Sequence, residues 1–278
     1  MSGPFTVACV QTTSSREIAE NIEAAGALVR AAAKAGADFV LLPETVNLME
    51  SNGKLRTEKI TKGDGDGGLS AYRDMASQAG IWLLAGSLVV MGEDEKAVNR
   101  SFLIGPDGAV QAQYDKIHMF DVDLGDGEVH KESNAYAAGS KAVTAVLPWG
   151  RLGMSVCYDL RFPNLYRGLA KGYYSGGEGV DFISVPAAFT RPTGKAHWHV
   201  LLRARAIENG CYVFAPAQCG EHENGRKTYG HSLIINPWGE ILADGGEETG
   251  IITADIDPAE VTKARAMIPS LMHDRAFT

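Results

Sequence analysis

Cysteine is scarce in this chain, and the few that occur stand apart. Cys9, Cys157, Cys211 and Cys219 form no CxxC pair, so neither a disulfide framework nor a zinc knuckle is expected, and a reducing cytoplasm fits their use. A basic excess is also lacking. The formal net charge is −8, with none of the Lys and Arg clustering that a nucleic-acid surface needs. No apolar run approaches the length of a membrane span. The stretch MSGPFTVACVQTT has neither a basic n-region nor a long apolar h-region, so secretion is not expected.

Several catalytic signatures are missing too. GDGDGGLS (63–70) lacks the GK[ST] ending of a P-loop and does not directly follow a strand; it reads as a surface loop bordering a site. RPTGKAHW contains a GK pair without an upstream Gly at Walker spacing. There is no GxSxG elbow and no papain-type signature around a cysteine. His197 and His199 offer two metal-ligand side chains. No third or fourth ligand stands at suggestive spacing, so no metal site is expected.

What is present is the composition of a soluble globular protein, 45% hydrophobic and 22% charged over 278 residues, with no visible domain boundary. A single domain over 1–278 is expected, large enough for a substantial core. Its organisation is an internal echo. TVACVQ (6–11), a helical stretch (16–36), DFVLLPE (38–44), a second helix (69–80), IWLLAGSLVV (81–90) and a strand pair turning at Pro106-Asp107-Gly108 make the first half. GMSVCYD (153–159), a short helix (162–172), DFISVPA (181–187), a helix (197–210), CYVFAPAQ (211–218) and a pair turning at Pro237-Trp238-Gly239 repeat that order. The nearly continuous apolar strands imply sheets covered on both faces. Two such sheets face to face give an α/β fold in four layers, an αββα sandwich with an internal pseudo-twofold.

Sites in α/β folds gather beyond the carboxyl ends of strands, which directs attention to Glu44, Lys116, Cys157 and Asp159. Glu44 follows LLP, where burial would raise its pKa and make it a better base. Lys116 follows a strand, and a cation there can lower a thiol pKa and stabilise an oxyanion. Cys157 precedes a turn into a helix. A thiol, a base and a cation are the parts of covalent acyl transfer. Taken singly, each also reads as a core thiol, a surface acid or a hairpin-end lysine.

Together, LLPE, YDKIHMFD, SVCYDLRFP and GHSLIINPWG resemble the nitrilase, or carbon–nitrogen hydrolase, superfamily over essentially the whole chain. The resemblance implies the αββα fold and a Glu–Lys–Cys catalytic set without metal or organic cofactor. Glu44 is then the base, Lys116 the oxyanion cation and Cys157 the nucleophile, attacking a small-molecule amide to form a thioester. Glu132 in HKES would orient Lys116, and the Tyr158 backbone N–H would join the oxyanion site. Within the superfamily, VPAAFTRPTGKAHWHVLLRARAIENGCYVFAPAQCG and TYGHS are most similar to the deaminated glutathione amidase branch. The implied products are 2-oxoglutarate and cysteinylglycine. The alternatives are an ω-amidase acting on α-ketoglutaramate, another amidase or N-carbamoyl hydrolase of the superfamily, a true nitrilase, or a silent binding scaffold, against which the intact catalytic set argues. Arg191 and Lys195, with Arg161, are candidates for a substrate carboxylate. The resemblance further implies a homodimer or larger homo-oligomer. An insertion around Tyr173–Gly179 should form a surface loop.

Overall fold

Alternation along the buried strands sorts the core into layers. In Phe5–Gln11, Val7 and Cys9 join one apolar cluster and Ala8 and Val10 another, because side chains two apart share a face. Phe39 and Leu41 go with the first set, Val40 and Leu42 with the second. The second set packs under the helices Ile18–Lys34 and Leu69–Ala79, against Ala25, Val29, Tyr72 and Ala76. The first set meets another sheet. The computed structural model describes residues 3–61, 67–92, 96–125 and 129–275.

The two sheets share one plan. The first runs Gly250–Ile256, Phe5–Gln11, Phe39–Leu41, Trp82–Met91, Ala97–Ile104, Val110–Asp115. The second runs Val143–Leu147, Gly150–Met154, Phe182–Ser184, Tyr212–Ala215, Leu233–Ile235, Ile241–Asp244. Each has an antiparallel edge, three parallel strands, then two antiparallel ones. Each edge strand comes after one half's hairpin and pairs with the opposite half's first strand. The halves are thereby stitched together. Between the sheets Phe5 stacks on Trp149 at 4.2 Å, and Phe39 meets Phe214 edge-on at 6.3 Å. Helices Pro163–Ala170 and Arg191–Asn209 cover the second sheet with Leu165, Leu169, Trp198 and Leu202. The αββα sandwich follows.

Several boundaries differ from the sequence expectation. The strand expected over 153–159 ends at Met154, and Cys157–Arg161 is a turn of 3-10 helix. The helix expected from His197 starts at Arg191, since Pro192 is tolerated in a first turn, where its missing N–H would lack a partner anyway. Both exchanged edge strands are half-exposed and carry no continuous apolar run. The segment Tyr173–Gly179 is a surface excursion, with Tyr173 and Tyr174 exposed. Of the loop 63–70, residues 63–66 lie outside the described residues; Gly67 accepts from Asn47 Nδ2 at 3.0 Å. No helix among the described residues is long and apolar enough to cross a membrane.

Candidate active site

Glu44 is placed by a lacing of backbone bonds. Leu42 N–H donates to Leu84 O, Ser87 N–H to Pro43 O, and Val46 N–H to Ser87 O. Thr45 N–H donates to Ser87 Oγ at 2.9 Å. This segment lies so close to Gly86 that a Cβ there would sit 1.7 Å from Leu42 O and 2.6 Å from Pro43 O. Gly86→Ala must therefore push the Glu44 segment away. It is expected to cost roughly 2 kcal/mol or more of stability and about 10²-fold in turnover, read by denaturant unfolding and by amide hydrolysis. Wild-type values in both would refute the lacing.

The Glu44 carboxylate is buried and fully engaged. Its Oε1 accepts from Asn99 Nδ2 and Lys116 Nζ, both at 2.9 Å, and its Oε2 from Ala188 N–H at 2.7 Å. Lys116, itself buried, also donates to both Glu132 oxygens at 2.9 and 2.8 Å. Phe120 N–H fixes Glu132 from behind at 2.6 Å. One ammonium thus sits between two carboxylates. Removing it would leave the buried Glu44 and the half-buried Glu132 without their shared cation, the costly case for an ion pair out of solvent.

Cys157 has φ +49°, a left-handed conformation rare for a residue with a side chain and typical of functional turns. Its N–H is bound to Pro186 O at 2.9 Å. Asp159 holds the turn from beneath: Oδ2 accepts from Val156 N–H at 2.9 Å and Tyr114 OH at 2.6 Å, and Oδ1 from His118 N–H at 3.1 Å. Asp159 therefore shapes the turn from a fully buried position. Tyr158 N–H lies at the start of the 3-10 turn, where a helix's own ladder supplies no acceptor.

The electrostatics reverse one expectation. Burial pushes the Glu44 pKa up, but Lys116 and then Arg226 prevail and hold it below the ordinary carboxylate value. Burial, with Glu44 next, raises the Cys157 thiol well above its usual range despite Lys116. Burial works against the Lys116 charge, yet Glu132 and Glu44 raise its pKa well above normal. The resting set is a carboxylate, an ammonium and a neutral thiol hydrogen-bonded to Glu44.

These groups open onto a cavity of about 850 Å³ lined by Glu44, Lys116, Glu132, Cys157 and Tyr158. Arg191 and Lys195 stand at its exposed edge, with Arg191 paired to Glu247 at 3.2 Å. Arg161 is not among the lining residues. Its guanidinium lies over the rings of Tyr158 and Phe189 and bonds His197 at 3.2 Å. Unforeseen lining residues are Asn99, Arg56, Tyr136 and Arg226. Of these only Asn99 had a local signal, a polar side chain in the apolar strand AVNRSFLI. Outside the cavity, His199 does acquire partners. Its Nε2 and His231 Nδ1 flank Asp244 at 3.1 and 2.8 Å, and the three ligand-type atoms lie within 4.8 Å of one another. Both partners come from distant strand ends, which spacing along the chain does not reveal. The other three cysteines are buried and free, with the Cys211 thiol pushed up by burial to about 11.

Comparison with known proteins accords with this geometry. The carbon–nitrogen hydrolase family model matches residues 6–266. A deaminated glutathione amidase from Synechocystis is 43% identical over 276 residues, covering 97% of this chain and 98% of that protein. The human deaminated glutathione amidase is 37% identical over 274 residues, covering 97% and 82%. The crystal structure of the Caenorhabditis elegans NitFhit protein superposes with TM-score 0.91 at 35% identity, covering 99% of this chain and 66% of that one. A CN-hydrolase superfamily protein from Xanthomonas campestris, with an arsenic adduct in its active site, superposes with TM-score 0.84 at 31% identity, covering 99% and 98%. The chain belongs to the carbon–nitrogen hydrolase family and is a hydrolase acting on amides.

Proposed function

We propose that the chain hydrolyses deaminated glutathione to 2-oxoglutarate and cysteinylglycine, with Cys157 as nucleophile, Glu44 as general base and acid, and Lys116 as oxyanion cation. The observation that carries the chemistry is the convergence of Glu44, Lys116, Glu132 and the strained Cys157 on one cavity. The substrate rests on relatives of that name aligned over nearly the whole chain.

Glu44 takes the thiol proton as sulfur attacks the amide carbonyl, and the oxyanion is held by Lys116 and the Tyr158 N–H. Such a donor is worth roughly 3 kcal/mol. The adduct collapses as protonated Glu44 gives its proton to the departing amine, leaving a thioester. Water, deprotonated by Glu44, then releases the acid, and the thiolate recovers its proton from Glu44. Glu132 keeps Lys116 protonated and aimed. Self-association belongs to the same reading. Val200 and Ile207, one heptad apart on a single helix face, are 68% and 52% exposed.

The pH profile follows from the directions of the shifts. Activity needs ionised Glu44, whose pKa is lowered, so the acid limb of kcat/KM falls below the ordinary carboxylate range. Activity also needs protonated Lys116 and the resting thiol, both raised, so the basic limb lies above the usual thiol range. A rate that instead climbs through about pH 8.5, as an ordinary thiol ionises, would mean a free thiolate is the reactant. Substrate assignment is tested by kcat/KM for deaminated glutathione, α-ketoglutaramate and a carbamoyl amino acid. The first should be the best, and its being the poorest would overturn the reading.

A further inference from the structure

Two arginines in the cavity wall form no ion pair with a carboxylate among the described residues. Arg56, on the helix Gly53–Thr61, is 7% exposed. Its guanidinium lies 4.9 Å over the Tyr136 ring, Nη1 donates to Glu50 O at 3.4 Å, and Nε is buried without a partner. Arg226 is half-buried between the strands Cys219–Glu221 and Lys227–Tyr229. One of its terminal nitrogens donates to Ala188 O, and its Nε is likewise buried and unpartnered. Glu50 does not serve as the counter-ion. Its carboxylate accepts from Asn52 N–H at 2.9 Å and faces Lys59 at 3.6 Å and Arg16 at 4.0 Å.

The two guanidinium-bearing segments meet at adjacent residues. Asn224 Nδ2 reaches Met49 O at 3.3 Å while its Oδ1 accepts from Arg226 N–H at 3.0 Å; Arg56 holds the next carbonyl, Glu50 O. Both side chains line the cavity that holds Cys157. Arg226 donates to Ala188 O, and Ala188 N–H donates to Glu44 Oε2 at 2.7 Å, so Arg226 stands one residue from the catalytic carboxylate. The outer cations differ. Arg191, Lys195 and Lys227 are exposed, and Arg191 and Lys227 are paired with Glu247 and Glu221, where solvent screening leaves little selectivity.

A guanidinium keeps its charge at any physiological pH. Largely withdrawn from solvent and without an ion pair, it gains from the arrival of an anion, and its fork matches a carboxylate. We propose that Arg56 and Arg226 form the anion-binding end of the cavity and take the terminal carboxylate of the acyl group, selecting amides of dicarboxylic acids over those of neutral acids. The proposal rests on the amidase reading. In a 2-oxoglutaryl amide that carboxylate lies four bonds from the scissile carbon, roughly 5 Å away at ordinary bond lengths. This places the acyl carboxylate on Arg56 and Arg226 and not on Arg191 or Lys195.

Two measurements test it. For turnover, cysteinylglycine is acylated either by the 5-carboxyl of 2-oxoglutarate or by 4-oxopentanoate, so that only the terminal carboxylate is exchanged for a methyl group. The ratio of kcat/KM, 2-oxoglutaryl over 4-oxopentanoyl, should fall about 10- to 100-fold in Arg56→Met and in Arg226→Met, and less in the Lys variants. For binding, calorimetry with 2-oxoglutarate and with 4-oxopentanoate on otherwise intact protein should show the same loss of preference. Unchanged ratios in both assays, in variants that keep the wild-type melting temperature, would overturn the proposal. So would a loss that tracks the glycine carboxylate of the leaving group. If neither amide is cleaved by the wild type, the amidase reading of this substrate fails, and calorimetry still decides the anion site.

Discussion

Cys157→Ala is expected to lower kcat/KM for amide hydrolysis by roughly 10⁴-fold or more, as deletion of a covalent nucleophile does. The size of the effect follows from the site's construction. The thiol sits on a left-handed turn held by Pro186 O and by buried Asp159, and it is hydrogen-bonded to Glu44, a base lining the same cavity. What remains without sulfur is a cavity that binds the amide and polarises its carbonyl. Alanine substitution at Cys9, Cys211 or Cys219 should give the opposite pattern. Those thiols are buried among strand residues or backbone carbonyls, so stability should fall while turnover per folded molecule stays near wild type. Steady-state kinetics corrected for folded fraction checks the set. Substantial residual turnover in Cys157→Ala would remove covalent catalysis from the mechanism.

Glu44→Gln carries the second large effect, about 10³-fold in kcat/KM, in the range of general acid–base catalysis, and it has a less obvious companion. Three donors converge on this carboxylate, from Asn99, Lys116 and Ala188. An amide offers only one acceptor oxygen, so one donor faces an NH₂ group, at a cost of about 1–3 kcal/mol in stability. At the same time the negative charge that helps hold the Cys157 proton disappears while Lys116 stays. The thiol should therefore ionise at lower pH than in wild type, although the enzyme is slower. Iodoacetamide alkylation followed against pH reads this directly. A thiol titration that is unmoved or shifted upward would show that Glu44 is not what keeps the sulfur protonated.

The reach of the sequence is clearest at the residues that end apolar runs. Glu44 and Cys157 follow buried strands and Lys116 follows the strand Val110–Asp115, and the chain order of strands in the two halves matches the topology of both sheets. Glu132 was legible only through the family resemblance, since HKES carries no local signal of its own. Charge balance was not legible. Burial alone argued for a raised Glu44 pKa, and the reversal depends on Lys116 at 2.9 Å and on Arg226 from a hairpin far along the chain. Arg56 and Arg226 belong to segments 170 residues apart that are joined through the carbonyls of Met49 and Glu50. Arg161 shows the converse. It stands four residues after Cys157 in sequence, yet the 3-10 turn sends it onto the rings of Tyr158 and Phe189. The exchanged edge strands escaped because one face of each meets solvent, so no continuous apolar run marks them.

The most direct test is to quench the enzyme during turnover of deaminated glutathione and weigh the Cys157 peptide. A 2-oxoglutaryl thioester on that peptide, present during turnover, released by hydroxylamine and absent from Cys157→Ala, is the expected result. Steady turnover with no acyl group on the peptide, under quench conditions that preserve a thioester standard, would contradict a covalent role for Cys157.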